Sequence, residues 1–209
     1  MPMQAPTIPP ATLARLLTEG DRSWEEFRAR RQNRFHLFIP SDHASAYDLL
    51  RLLSDRASTF VELGSGGGVV TVMADLLGYE AYGIELEPWL VERSIELAEE
   101  FESNANFVEG SFVPPSYQEE VEHQSRDHFT PTAGACAYDE LGLELDDFDL
   151  IFAYPWPGEE DWLDELVQRY ARPEAFLLVY DSSGGFRLSQ AKLAGRAIEF
   201  PIETFKERP

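Results

Sequence analysis

One run constrains this 209-residue chain more than any other: Val61-Glu62-Leu63-Gly64-Ser65-Gly66-Gly67-Gly68, followed at once by Val69-Val70-Thr71-Val72-Met73-Ala74. A short apolar segment, a glycine cluster and a second apolar segment read as strand, tight turn and helix. In that geometry the backbone can approach a ligand closely over a helix N-terminus. Spacing narrows the ligand. Dinucleotide sites want G-x-G-x-x-G, whose third glycine would fall at position 69, where this chain has Val69. Here the glycines stand at 64, 66 and 68, with the acidic Glu62 before them. No lysine follows in the position a phosphate-cradling loop requires, so that class is excluded. A second anchor is Glu85, at the end of the next apolar run, where a carboxylate can accept both hydroxyls of a ribose.

Beyond the loop, short apolar runs alternate with amphipathic segments. Strands are expected at Thr59–Leu63, Ala81–Glu85, Asn106–Glu109, Phe148–Ala153 and Ala175–Tyr180. Helices are expected at Val69–Leu77, Glu159–Tyr170 and from Pro88 to about Phe101, the last with proline at its favoured first position. Such alternation implies βαβ units with right-handed crossovers. The expected class is α/β, a Rossmann-like, mostly parallel sheet flanked by helices. Residues 1–40 read as an N-terminal helical arm, with one helix over Ala11–Gly20 and a charged second one over Ser23–Asn33. The main domain, 41–209, opens with a helix after Pro40-Ser41-Asp42 that buries Ala46, Leu49, Leu50 and Leu53. Residues 114–143 interrupt the rhythm as a long polar insertion with one helix near Tyr117–His128. Length and polarity predict that it is mobile and lies at the substrate-facing edge of the sheet. The C-terminal part reads as shortened, with Ala197–Phe200 and Glu203–Phe205 as candidate antiparallel strands.

Charge bears on partners. With 38 acidic residues against 17 basic ones the formal net charge is −21, the opposite of what phosphate neutralisation requires, which argues against nucleic acid. A neutral or cationic partner fits better, although a saline cytoplasm would select the same acidic, lysine-poor surface. No apolar stretch is long enough to span a bilayer, and the first ten residues do not form a secretory signal; a cytoplasmic location without membrane attachment is the expectation. The single cysteine, Cys136, excludes an intrachain disulfide and a cysteine-rich metal site. His36, His43, His123 and His128 form no metal-spaced set, so no metal is expected. The acidic runs at 119–122, 146–147 and 159–161 read as solvated faces.

Taken together, Val61–Gly68 resembles motif I of the class I S-adenosylmethionine-dependent methyltransferases, and Gly83-Ile84-Glu85-Leu86-Glu87-Pro88 resembles their acidic second motif. More narrowly, Gly83–Val91 is similar to the ATP synthase c-subunit lysine methyltransferase family and its bacterial relatives. That similarity reaches back to Phe38-Ile39-Pro40-Ser41 and covers roughly residues 38 to 112. The resemblance implies S-adenosyl-L-methionine as cofactor. It implies that Gly64, Gly66 and Gly68 wrap the methionine part, that Glu62 orients its amino group and that Glu85 holds the ribose. Ser65 and Leu86 complete the cofactor-binding set. Ser111 stands where many class I enzymes carry an aspartate for the adenine amino group; a serine can still accept one hydrogen bond there.

The fourth motif, Asp149-Leu150-Ile151-Phe152-Ala153-Tyr154-Pro155-Trp156-Pro157, does not match the Asn/Asp-Pro-Pro-aromatic signature of adenine N6 methyltransferases, a second argument against nucleobase acceptors. Tyr154 and Trp156 are the candidate catalytic residues. They sit at the carboxyl end of the fourth strand, where α/β sheets bind ligands, and each ring beside a cation contributes about 0.5–2 kcal/mol. The alternative is that Trp156 packs into the core, as Trp89 is expected to. His36 and His43 flank the segment expected to cover the cofactor, so either is a candidate base. The expected reaction is in-line displacement of a sulfonium methyl, in which alignment alone contributes roughly 7–11 kcal/mol. Three readings stay open: a methyltransferase acting on an amine such as a protein lysine, one acting on a small molecule, and a non-catalytic nucleoside-binding module.

Overall fold

The computed structural model describes residues 6–30, 41–124, 130–181, 185–191 and 198–200. Seven strands form one sheet: β1 (Thr59–Leu63), β2 (Glu80–Glu85), β3 (Asn106–Glu109), β4 (Leu150–Ala153), β5 (Phe176–Asp181), β6 (Gly185–Gln190) and β7 (Ile198–Phe200), in the order β3-β2-β1-β4-β5-β6-β7. The first five pair in parallel and the last two join antiparallel. The helices are α1 (Pro10–Arg30), α2 (His43–Leu53), α3 (Val69–Leu76), α4 (Pro88–Glu100), α5 (Pro115–Gln124), α6 (Ala137–Leu141) and α7 (Glu160–Tyr170). This is the Rossmann-like, mostly parallel α/β fold that the strand–helix rhythm predicts.

Strand pleating explains the two apolar layers. Successive side chains of a strand point to opposite faces. Phe60, Phe152 and Leu178 therefore join one layer with α1, α2 and α3, while Val61, Leu63, Ile151, Leu177 and Val179 join the other with α5, α6 and α7. Both faces are covered, which is why the central strands read as unbroken apolar runs. From β1 the chain winds outward through β2 and β3, then returns to place β4 on the other side of β1. That reversal opens a crevice at the carboxyl ends of β1 and β4, where doubly wound sheets take their ligands.

Three expectations need correction. First, α1 is a single helix of 21 residues, whereas Gly20 read as its stop. Gly20 is needed inside the helix because a Cβ there would come within 2.6 Å of Val69 Cγ2; its absence lets α1 press against the start of α3. Second, the described parts of the insertion are not a detached mobile loop. Tyr117, Val121, Ala137 and Tyr138 are buried in the second layer, and the Tyr117 hydroxyl donates to the Trp162 carbonyl at 3.3 Å. Its helix covers Pro115–Gln124 among the described residues, and the expected continuation to His128 lies outside them. Third, β6 follows β5 directly as a hairpin partner, a strand that the weakly patterned Gly185–Gln190 did not announce. The candidate strand Glu203–Phe205 lies outside the described residues. Among the described residues no helix is long and apolar enough to cross a membrane.

Candidate functional site

At the crevice, β1 ends in Leu63 and the chain turns through Gly64 (φ +78°), Gly66 (φ +53°) and Gly68 (φ +77°), left-handed conformations that residues with a Cβ seldom adopt. The Gly64 and Ser65 amides both donate to the Ile84 carbonyl at 2.9 Å, which ties the loop to β2. The glycines do different work. A Cβ at Gly64 would meet nothing within 4 Å, so this position opens onto the cavity, whereas one at Gly68 would lie 2.7 Å from Ser94 and 2.9 Å from Phe107. Gly68 thus lets α4 and β3 close against the loop, and Gly67, absent from the sequence-derived set, borders the cavity beside Gly64. Gly66 donates its amide to Glu85 Oε2 at 2.9 Å.

Two buried polar groups face this cavity. Ser65 is 4% exposed, and among the described residues its buried Oγ has no hydrogen-bond partner, an arrangement that costs free energy unless a ligand completes it. Glu62 is 6% exposed and accepts from the Thr71 amide at 3.0 Å and from its hydroxyl at 2.6 Å. Burial pushes the Glu62 carboxyl up to about 8 against the opposing Thr71 bonds, and the nearby Glu85 charge adds to the rise. A cation placed beside it would reverse that shift.

The second anchor is in place. Glu85 closes β2, and besides Gly66 its carboxylate accepts from the amides of Leu86 (2.8 Å) and Glu87 (3.0 Å). It therefore rigidifies both turns at the crevice. Leu86 is half-buried. Ser111 is placed differently from the others: it is buried, its Oγ accepts from the Val113 amide at 3.1 Å, and its own amide donates to the Ala135 carbonyl at 2.8 Å. Residues 130–137 of the insertion run across this end of β3. A Cβ on Gly134 would lie 2.7 Å from Leu86 Cδ2, and one on Gly110 would lie 2.8 Å from the Ala135 carbonyl.

At the carboxyl end of β4 Tyr154 borders the cavity and meets Tyr180 edge-on, ring centroids 4.8 Å apart. Burial raises its phenol, and Tyr180 and Asp181 raise it further. Trp156 is half-buried and stands outside the lining; its carbonyl accepts from the Glu159 amide at 2.9 Å, closing a turn through Pro157 and Gly158 (φ +91°). Glu159 corrects the reading of residues 159–161 as a solvated face. It is 2% exposed, and its carboxylate holds the Thr130 amide at 2.9 Å and the Thr130 hydroxyl, pinning the insertion to the turn.

Sequence reasoning expected a helical arm at α1 but did not place it at the site. Its Gly20, Ser23 and Trp24 border the cavity, so the arm is one wall of the site. Phe27 stacks on Trp89 at 5.8 Å and Arg30 lies over the same ring at 5.0 Å. Trp89, expected in the core, is a half-buried anchor for α1. The available signal was the tolerance of Gly20 within a helical pattern. His43 opens α2 and borders the cavity. His123 is exposed on α5, and His36 and His128 lie outside the described residues. Among the described residues no cluster of histidine, cysteine and carboxylate side chains is arranged to hold a metal.

No family model matches the chain. A 54-residue stretch, 26% of the chain, is 35% identical to the ATP synthase c-subunit lysine N-methyltransferase of Xenopus laevis and 37% identical to that of Mus musculus. The matched stretch spans about a quarter of those relatives, 24% and 22% of their lengths. Among solved structures, an RNA methyltransferase from Salinibacter ruber in complex with S-adenosyl-L-homocysteine aligns with a TM-score of 0.48 and 17% identity, over 68% of this chain and 76% of that one. An O-methyltransferase from Bacillus cereus, also bound to S-adenosyl-L-homocysteine, aligns at 0.48 and 15%, over 82% and 66%.

Proposed function

We propose that the protein is an S-adenosyl-L-methionine-dependent methyltransferase acting on an amine, with a protein lysine or a small molecule as acceptor. The observation that carries this reading is the cavity over the 64–68 loop, where an open glycine, a serine hydroxyl with no partner among the described residues and a buried carboxyl converge. The residues fit the cofactor. Gly64 and Gly67 leave room for close approach, Ser65 Oγ offers a hydrogen bond, Glu62 would face a cationic amino group, and Glu85 ends β2 at the ribose position. The short identity to lysine methyltransferases supports the same reading.

When bound, the cofactor supplies a methyl group already activated by a sulfonium. The chain's task is then alignment and water exclusion. Glu62, whose carboxyl burial pushes up to about 8, would ionise against the cofactor's ammonium and fix its orientation. Glu85 keeps the loop and the β2 exit in one geometry through its three amide bonds. Tyr154, backed by Tyr180, walls the acceptor side with an aromatic surface suited to a cation. The acidic surface favours a cationic or neutral acceptor over nucleic acid, and we place the enzyme in the cytoplasm without membrane attachment.

Labelled cofactor tests this, with a lysine-rich peptide pool in one arm and a metabolite extract in the other. Label in either arm supports the enzyme and identifies the acceptor class. Cofactor binding without transfer to either would favour the non-catalytic module.

A further inference from the structure

We infer that His43 is the proton acceptor of the site, taking the proton that an ammonium acceptor must lose before its nitrogen can be methylated. The inference rests on the methyltransferase reading above and adds a residue to its chemistry.

His43 is the first residue of α2 and lines one cavity together with Glu62, Gly64 and Tyr154. It thus lines the same cavity as the glycine loop and the aromatic residue at the end of β4. Its Cε1 lies 3.7 Å from the point where a Cβ on Gly20 would sit, so α1 fixes the ring from behind. Among the described residues the charged groups acting on it are Asp21 on α1 and its neighbour Asp42, and the titratable groups that share its cavity are Glu62 on β1 and Tyr154 on β4. Asp42 is already occupied, accepting the Ser45 amide and hydroxyl as the cap of α2. Burial lowers the imidazole against the pull of Asp21 and Asp42, and no hydrogen bond contributes to its titration. A neutral ring with an available nitrogen is the species a proton acceptor needs. Neither of the other titratable groups that line the cavity suits the task. Glu62 is spoken for by Thr71 and by the cofactor's ammonium, and the Tyr154 phenol is raised rather than lowered.

The step balances as follows. The acceptor's ammonium gives one proton to the neutral imidazole of His43. The freed lone pair forms the new nitrogen–carbon bond as the sulfur–carbon bond breaks, and that pair stays on sulfur. The products are the methylated ammonium, neutral S-adenosylhomocysteine and an imidazolium that returns its proton to solvent.

The test needs no acceptor. S-adenosylmethionine and S-adenosylhomocysteine carry the same amino-acid and nucleoside groups and differ in the sulfonium charge. The His43 ring is titrated by NMR in the free protein and with each ligand at saturation, its resonance identified by loss in H43Q among only four histidines. If His43 faces the methyl site, its midpoint with S-adenosylmethionine falls about 0.5–2 pH units below that with S-adenosylhomocysteine, the span for a unit charge ~6 Å away under strong to moderate screening. Asp21→Asn should lower the midpoint of the free protein, because that carboxylate raises it. Coincident midpoints with both ligands bound overturn the inference while leaving the proposed function intact; binding of neither ligand overturns the function itself. With the lysine-rich peptide pool, turnover should rise with pH through the His43 midpoint, and H43Q should lose at least tenfold in kcat and that rise with it, cofactor affinity unchanged. A rise that persists in H43Q would contradict the assignment.

Discussion

The two ends of the crevice solve the same problem, polar groups out of water, in opposite ways. Over the 64–68 loop the polar groups are left incomplete: Ser65 Oγ has no partner among the described residues, and burial drives Glu62 up to about 8. At the β3 exit and the β4 turn, Ser111 and Glu159 have their partners. Ser111 is bonded to Val113 and Ala135, and Glu159 holds Thr130 by amide and hydroxyl. Incomplete burial costs stability and is tolerated where a ligand repairs it. Complete burial builds walls. The contrast supports the proposal that the loop end is the ligand side, with the packed parts of the insertion as a wall.

The largest effect should come from breaking the complete side. Glu159→Ala leaves the Thr130 amide and hydroxyl without their acceptor, and we expect about 2–4 kcal/mol of lost stability, read as a melting temperature lowered by roughly 5–15 °C. A variant that melts like the parent would remove the distinction between the two ends. Next comes Glu85→Ala, expected to weaken S-adenosylmethionine binding by about 1–3 kcal/mol through loss of charge-assisted hydrogen bonds and of the loop's support; unchanged calorimetric affinity in the folded variant would move the ribose site elsewhere.

A matched pair of smaller changes sharpens the comparison. Ser65→Ala removes a hydroxyl with no partner among the described residues, so stability should hold within about 0.5 kcal/mol while cofactor affinity falls by about 0.5–1.5 kcal/mol. Ser111→Ala should do the reverse, with about 1 kcal/mol of stability lost and affinity nearly unchanged. Thermal melts and titrations on both proteins test the assignment together. If Ser111→Ala weakens binding as much as Ser65→Ala does, the adenine side is built as the resemblance implies and the β3 exit is not merely a wall.

What sequence reading reached follows the same division. The loop, β1 to β5 and the helices between them are local patterns: apolar runs of strand length, glycines at fixed spacing, a proline opening α4. Glu62, Gly64, Ser65 and Glu85 were legible because their chemistry is tied to that spacing. The rest depends on long-range packing. Gly20 read as a helix end because its contact, Val69, is 49 residues away. Glu159 read as solvent-facing because its partner, Thr130, belongs to a different element. Tyr117 and Tyr138 lie in polar stretches whose apolar residues only line up once α5 and α6 fold onto the sheet.

The central claim is that the incomplete end is completed by S-adenosylmethionine, and calorimetry addresses it most directly. The protein is titrated with S-adenosylmethionine, S-adenosylhomocysteine and NAD near neutral pH, in two buffers of different ionisation enthalpy. A cation beside Glu62 favours its charged form, so its pKa must fall from about 8 and a proton must leave as the ligand enters. We expect binding of the first two ligands and not of NAD, proton release on binding, and loss of that release in Glu62→Gln. Tight binding of NAD with no response to the other two would contradict the account.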